Sequence, residues 1–144
     1  MATINTYLNF PVNTEEAFNF YKSVFGGDFA GGINRFGDMP ESGNVSESDK
    51  NKIMHVGLPV GKNNMLMATD ALESMGQKLD FGNNVHLSLE ADNKEEADKL
   101  FKSLSEGGKV TMPLADAFWG AYFGMLTDKF GVHWMVNYTY LQNK

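Results

Sequence analysis

Apolar residues alternate with polar ones along residues 85–90, which predicts a strand with one apolar face. From Asn93 onward the apolar spacing changes to three and four residues, which is typical of an amphipathic helix. Asn93 and Glu96 have the spacing of a helix capping box, and Gly107-Gly108 ends the apolar stripe. The pattern therefore predicts a strand, a capped helix and a glycine stop.

The same pattern occurs near the start of the chain. Sliding the sequence by 80 positions superposes residues 6–29 on 86–109 and aligns seven identical residues without a gap. Asn13 and Glu16 form the corresponding capping box, and the helix ends at Gly26-Gly27. The chain is therefore predicted to contain an internal repeat.

Strand-like segments follow each predicted helix, and together they give the fold class. The spacing between equivalent positions of the two copies falls from 80 residues at the helices to 68 residues at the last strand of each copy. The first half therefore carries 12 extra residues, which we place in a mobile surface loop or lid over 37–52. We predict an α+β fold of two βαβββ modules, about 1–75 and 82–140, within one domain spanning 1–144. The predicted strands after the helices are 29–36, 53–60, 65–69, 109–112, 122–127 and 133–140.

Composition and charge restrict the class of protein further. The 144 residues carry a net charge of −6 with scattered basic residues, which argues against nucleic acid as a partner. The absence of cysteine excludes disulfides and thiolate metal sites. The sequence shows neither a signal-peptide pattern nor an apolar run long enough to span a membrane, so we expect a cytoplasmic protein without a membrane partner.

The segments 53–56, 65–71, 118–124 and above all 127–135 carry a resemblance to a known group of proteins. With the repeated βαβββ unit, they resemble the PhnB-like branch of the glyoxalase, or vicinal oxygen chelate, superfamily. This resemblance implies a curved mixed sheet around a cavity, often in a homodimer, but no particular reaction. Related sequences are often labelled ubiquinone-pathway methyltransferases, yet the chain has no glycine-rich site for a nucleotide methyl donor.

The resemblance also implies four inward side chains that hold a divalent metal in many superfamily enzymes. It places these positions at Thr6, Met67, His86 and Met135. A thioether is a poor ligand for ions that prefer imidazole and carboxylate, and one histidine cannot fix a coordination sphere. We therefore expect no metal and no other cofactor there. A divalent metal displaced to a rearranged site around His86 stays as an alternative.

Several side chains are candidates for a binding site. His86 is the candidate catalytic residue, because an imidazole suits general acid–base chemistry, although it equally fits a polar residue left from a lost metal site. Trp119 and Tyr122 offer an aromatic wall that grips a ring or closes a dimer, unless they only hold a loop over the core. Arg35 would hold a carboxylate or phosphonate unless it forms a surface ion pair. The predicted ligand-binding residues are Thr6, Arg35, His55, Met67, His86, Trp119, Tyr122 and Met135.

Taken together, these features predict a PhnB-like protein that binds a small, partly apolar or aromatic metabolite in a cup. Binding occurs without the usual divalent metal, and the reaction, if there is one, is not specified by the sequence. The first alternative is a metal-dependent lyase, isomerase or dioxygenase with a site displaced to around His86. The second is a non-catalytic sequestering or resistance protein. A homodimer is expected in each case.

Overall fold

The computed structural model describes residues 2–39 and 45–140 of the chain, which divides into two units at 1–80 and 81–144. Among the described residues, each unit contains one α-helix and one four-stranded mixed sheet, and the first unit also has short 3-10 turns. The α+β class and the repeated βαβββ order are therefore confirmed.

The first unit forms its sheet from strands that flank a single helix. Its elements are β1 (Thr6–Phe10), α1 (Thr14–Phe25), β2 (Asn34–Arg35), β3 (Ile53–Val60) and β4 (Asn64–Asp70). The strand order is β1-β4-β3-β2, with β1 parallel to β4 and the other pairs antiparallel.

The second unit repeats this topology. Its elements are β5 (Leu87–Glu90), α2 (Lys94–Ser105), β6 (Lys109–Ala117), β7 (Ala121–Thr127) and β8 (His133–Thr139). The strand order is β5-β8-β7-β6, with β5 parallel to β8. No helix in the described part of the chain is long and apolar enough to cross a membrane.

Each helix buries its apolar stripe against one face of its own sheet, and these two interfaces form the cores. Phe18 and Tyr21 of α1 are fully buried and meet edge to face, with ring centroids 5.5 Å apart. Phe101 and Leu104 are the corresponding buried residues of α2. The buried sheet residues are Val56, Leu58, Leu66 and Ala68 in the first unit and Leu126, Trp134 and Val136 in the second.

The strand predicted over 29–36 is mostly wrong, because only Asn34–Arg35 pairs with a neighbour. Gly31 and Gly32 have φ angles of 71° and 74°, in the left-handed region that interrupts an extended strand. Conversely, the strand predicted over 109–112 continues to Ala117. The other predicted strands differ from the observed ones by two residues or fewer at each end.

The two predicted helix caps differ in outcome. The Asn93 side chain accepts a hydrogen bond from the Glu96 backbone N–H at 2.7 Å, as expected. The Glu96 carboxylate, however, accepts from the backbone N–H of Asp92 and not from that of Asn93. One half of the predicted capping box is therefore present in α2.

At α1 the predicted cap by Asn13 is wrong, because its side chain makes no capping hydrogen bond. The buried Asp70 carboxylate at the end of β4 replaces it. Its Oδ1 accepts from the Thr14 N–H at 3.0 Å and its Oδ2 from the Ile53 N–H at 2.8 Å. A residue distant in sequence thus joins the start of α1 to β3 and β4, since a carboxylate suits the positive end of a helix.

The segment predicted as a mobile lid over 37–52 is tied down at its described ends. Gly37 N–H donates to the Lys50 carbonyl at 2.8 Å, and the buried Asp49 carboxylate accepts from the Ser74 hydroxyl at 2.5 Å. The hydrogen-bonded ion pair with Lys52 lowers the pKa of Asp49 to about 2. The remainder of the segment, residues 40–44, lies outside the described residues.

Candidate functional site

Each sheet has a second face, opposite its helix, on which side chains can be placed from the strand register. Residues paired on adjacent strands project to the same face of a sheet. We call the face of the second sheet opposite α2 the distal face. The residues of this face that concern the site are Ser88 and Glu90 of β5, Phe123, Met125 and Thr127 of β7, and His133, Met135, Asn137 and Thr139 of β8; β6 adds Lys109 opposite Thr127.

One end of the distal face carries a fixed histidine. His133 Nε2 lies 2.8 Å from the Gly82 carbonyl oxygen, and His133 Nδ1 lies 2.8 Å from Thr127 Oγ1. Because a carbonyl oxygen only accepts, Nε2 carries the proton, and in the neutral ring Nδ1 accepts from the Thr127 hydroxyl. The His86 ring packs against His133, with centroids 5.4 Å apart. The structure therefore places two imidazoles side by side, one of them with both nitrogens engaged.

A pocket of about 560 Å³ opens beside His133. Phe81 supplies an apolar wall, and the strand residue Thr127 contributes to the lining. The remaining lining residues are Gly82, Asn83, Gly131 and His133. Sequence analysis missed Phe81, Gly82 and Asn83, since they precede β5 in a segment without periodic pattern.

The middle of the distal face is apolar, and its far end is polar. Met135 pairs with Ser88 on one side and with Met125 on the other. In the next row Asn137 lies between Glu90 and Phe123, and its amide donates to Glu90 Oε2 at 2.7 Å. The predicted residues His86 and Met135 thus share a surface on which polar ends flank a methionine centre.

The predicted aromatic wall separates into two groups. Trp119, in the turn between β6 and β7, is 54% exposed and meets Phe123 edge to face at 5.6 Å. Tyr122 projects to the opposite face, where it pairs with Tyr138 and donates its hydroxyl proton to Asp98 of α2 at 2.5 Å. Phe123 and Tyr122 are neighbours on β7 and therefore point to opposite faces, and Trp119 lies with Phe123. The expectation that Trp119 and Tyr122 form one wall is therefore wrong.

The Tyr122 contact gives a testable titration. The hydrogen bond to Asp98 and the charge of that carboxylate raise the pKa of Tyr122 to about 12. A raised pKa means that the interaction contributes to stability below about pH 10 and is lost as the pH rises from 10 to 12. We expect the Asp98→Asn variant to titrate one tyrosine nearer 10 in the ultraviolet phenolate absorbance. The Glu95→Gln variant on the same helix should titrate like the wild type, and an unchanged profile for Asp98→Asn would contradict the assignment.

The first sheet places its candidates differently. Tyr7, Met67 and Gly57 pair in one row opposite α1, and the Tyr7 hydroxyl lies 3.1 Å from His55 Nδ1. Burial raises the pKa of the Tyr7 hydroxyl. His55 and Met67 therefore share a face, as the prediction requires, and Tyr7 is a site residue that sequence analysis missed.

Thr6 does not join this group, so the prediction that it points inward together with Met67 is wrong. It pairs with Leu66, which is buried on the α1 side of the sheet. Tyr7 pairs with Met67, and Ser88 pairs with Met135, so Tyr7 and Ser88 occupy equivalent positions in the two sheets. These two strand positions are 81 residues apart, whereas the first residues of the two helices are 80 apart. The connection before α1 is one residue longer, and a shift of one residue reverses the face of every strand side chain.

Arg35 is held by other protein groups. Its guanidinium forms a two-pronged ion pair with Glu15, at 2.8 and 3.2 Å, and donates to the Asn51 carbonyl at 2.7 Å. The hydrogen bond from Arg35 lowers the pKa of Glu15. Arg35 thus forms the ion pair that sequence analysis named as the alternative to ligand binding.

The side chains at the predicted metal positions do not fit a divalent metal. Met67 and Met135 offer only thioethers, and Thr6 faces the helix. Both nitrogens of His133, whose ring packs against that of His86, are already hydrogen bonded. Within residues 2–39 and 45–140, no three His, Asp or Glu side chains converge in a group that could hold a metal ion.

The two βαβββ units, each with one four-stranded mixed sheet, define a fold of the glyoxalase type. Solved structures described as glyoxalase/bleomycin resistance proteins have the same fold, with TM-scores of 0.60 and 0.62 and identities of 22% and 16%. This likeness shows the fold alone.

The particular family follows from closer comparisons. Residues 2–137 match the family model described as 3-demethylubiquinone-9 3-methyltransferase, and the chain belongs to that PhnB-like family. Protein YjdN of Escherichia coli is 31% identical over 142 residues, covering 93% of each chain. The crystal structure of protein PA1353 from Pseudomonas aeruginosa is 42% identical, with a TM-score of 0.84 over 96% of this chain and 98% of that one. A putative 3-demethylubiquinone-9 3-methyltransferase, PhnB protein, from Bacillus cereus is 26% identical, with a TM-score of 0.77 over 96% of this chain and 100% of that one.

Proposed function

We propose that the protein binds a small, partly apolar or aromatic metabolite on the distal face of its second sheet, without a divalent metal. The observation that supports this proposal is the order of side chains along β8, where His133, Met135 and Asn137 alternate with buried core residues. Asn137 follows His133 by four positions along β8, which corresponds to a distance of about 13 Å. This span suits a ligand of one or two rings with polar groups at its ends.

The chemistry of the face supports a flat apolar ligand. The thioethers of Met125 and Met135 are flexible and polarisable, so they adapt to a ring that lies across them. The half-exposed Trp119 and its neighbour Phe123 add aromatic surface at the edge of the face. His86 and Thr127 offer polar groups at one end, and Asn137 does so at the other. A homodimer in solution, as the family resemblance implies, belongs to the same proposal.

The proposal predicts that chelator-stripped protein binds 1-naphthol, a flat uncharged aromatic alcohol. Replacing Met135 with alanine removes apolar contact at the centre of the face and should weaken binding by about three- to tenfold. Isothermal titration calorimetry measures this change. Met75→Ala is the matched control because Met75 is 70% exposed in a turn of the other unit.

Two results would contradict the proposal. Equal affinities for wild type and Met135→Ala would move the site elsewhere. A metal-dependent enzyme would show a raised melting temperature with Zn²⁺, Ni²⁺, Mn²⁺ or Fe²⁺, since a ligand at 100 times its dissociation constant adds about 2.7 kcal/mol. If that rise disappeared in His86→Ala, the metal-dependent lyase, isomerase or dioxygenase would replace the metal-free proposal.

A further inference from the structure

Glu90 at the polar end of the distal face is fixed by neutral donors. Its Oε2 accepts from the Asn137 amide at 2.7 Å, and its Oε1 accepts from the Thr139 hydroxyl at 3.0 Å and the Thr139 N–H at 3.3 Å. The Asn137 amide also donates to Thr139 Oγ1 at 3.2 Å, so the three side chains hold one another. The carboxylate therefore has a defined orientation on the sheet before any ligand arrives.

No cation of the described residues neutralises this carboxylate. None of the ion pairs between described residues includes Glu90. Lys94 lies on the α2 side of the sheet, with its Nζ 4.7 Å from the centroid of the Tyr122 ring. Lys109 pairs with Thr127, and the row of Thr127 lies about 13 Å along the strands from the row that contains Phe123 and Glu90. Glu90 thus presents an oriented negative charge that has no counter-ion among residues 2–39 and 45–140.

An aromatic surface lies within reach of the carboxylate. Phe123 occupies the same row as Asn137 and Glu90, two strands from Glu90, which corresponds to about 10 Å between backbones. The Trp119 ring meets Phe123 at 5.6 Å and remains half exposed. A ligand with its ring on this aromatic pair would therefore bring a short substituent to Glu90.

We infer that the metabolite bound on the distal face carries a positively charged amine, which Glu90 selects. The ammonium group donates to the Glu90 carboxylate, while the attached ring contacts Phe123, Trp119 and the methionines. A charged hydrogen bond is stronger than a neutral one, and a ligand carboxylate would be repelled from the same position. This inference rests on the proposed function and specifies its ligand class.

The test compares three probes of similar size and different charge by isothermal titration calorimetry at low ionic strength. The probes are 2-phenylethylamine, 2-phenylethanol and 3-phenylpropanoate. For the wild-type protein we expect the amine to bind about five- to tenfold more tightly than the alcohol, and the carboxylate to bind least. In Glu90→Gln, which keeps the shape of the side chain, the preference for the amine should fall to about twofold or less. Added salt should weaken amine binding selectively.

Glu95→Gln provides the matched control, because it removes the same charge from the exposed first turn of α2. It should retain the wild-type preference. If amine and alcohol bind equally to the wild type, or if Glu90→Gln keeps the full preference, the inference is overturned while the proposed function stands. If none of the three probes nor 1-naphthol binds, the proposed function fails and the inference fails with it. Even if Glu90→Gln does not fold, equal binding of the amine and the alcohol by the wild type would overturn the inference.

Discussion

Replacing Asp128 with alanine is expected to lower the free energy of unfolding by about 3 to 5 kcal/mol. Asp128 is buried at the turn between β7 and β8. Its Oδ1 accepts from the N–H groups of Phe130 and Val132, at 2.8 and 3.1 Å, and its Oδ2 accepts from the indole N–H of the buried Trp134 at 2.8 Å. Alanine would remove the acceptor that these three donors share, and one of the three, the indole N–H, is buried.

Urea denaturation followed by circular dichroism measures the loss. Asp128→Asn keeps the shape of the side chain and part of its acceptor capacity, so its loss should be about half as large. Asp80→Ala, at an exposed position, is the control and should change stability by less than about 0.5 kcal/mol. A loss below about 1 kcal/mol for Asp128→Ala would show that this carboxylate does not organise the turn. Because Thr127 and His133 flank the turn, ligand binding should weaken together with stability.

Replacing Gly108 with alanine is expected to cost about 2 to 4 kcal/mol, because the added carbon meets backbone atoms. A Cβ at Gly108 would lie 2.3 Å from the Thr127 carbonyl oxygen and 2.9 Å from backbone atoms of Asp128. Neither neighbour can rotate away as a side chain can. The chain after α2 would therefore move away from the end of β7, which carries part of the candidate site.

The matched control is Gly57→Ala in the first sheet. There the added carbon would lie 3.2 Å from the sulphur of Met65, and that side chain is flexible. We expect a loss below about 1 kcal/mol for Gly57→Ala, measured by the same urea denaturation. Similar losses of unfolding free energy for the two variants would mean that the backbone at the end of β7 shifts easily to make room for the added carbon at Gly108.

The internal repeat was predictable from sequence because each unit uses local rules. The apolar spacing of the two helices and the glycines after them specify elements that depend on residues close in the chain. Prediction failed at 29–36, where Gly31 and Gly32 take left-handed backbone angles that the alternation of apolar residues does not reveal. It also failed at Asn13, because the group that caps α1 comes from β4, more than fifty residues away.

The candidate site was predictable only where the strand register was known. His86, Met135 and His133 share a face because their strands pair as parallel neighbours, and the sequence gives the parity along each strand. Thr6 was misplaced because an overlay based on the helices cannot detect one additional residue before α1. Tyr122 was grouped with Trp119 because the two are close in sequence, but Trp119 contacts Phe123, and Tyr122, the neighbour of Phe123 on β7, projects to the opposite face.

The sequence by itself determined the βαβββ repeat, the helix positions and the methionine content of the predicted metal positions, because period and composition are properties of the chain. Only the tertiary structure decided that both nitrogens of His133 are engaged and that Arg35 is paired with Glu15. It also decided that Glu90 is held by neutral donors. Apart from the contact between His133 and Thr127 across the turn, each of these contacts joins residues at least twenty positions apart. Such contacts depend on how strands and helices pack, which the local pattern of a sequence does not encode.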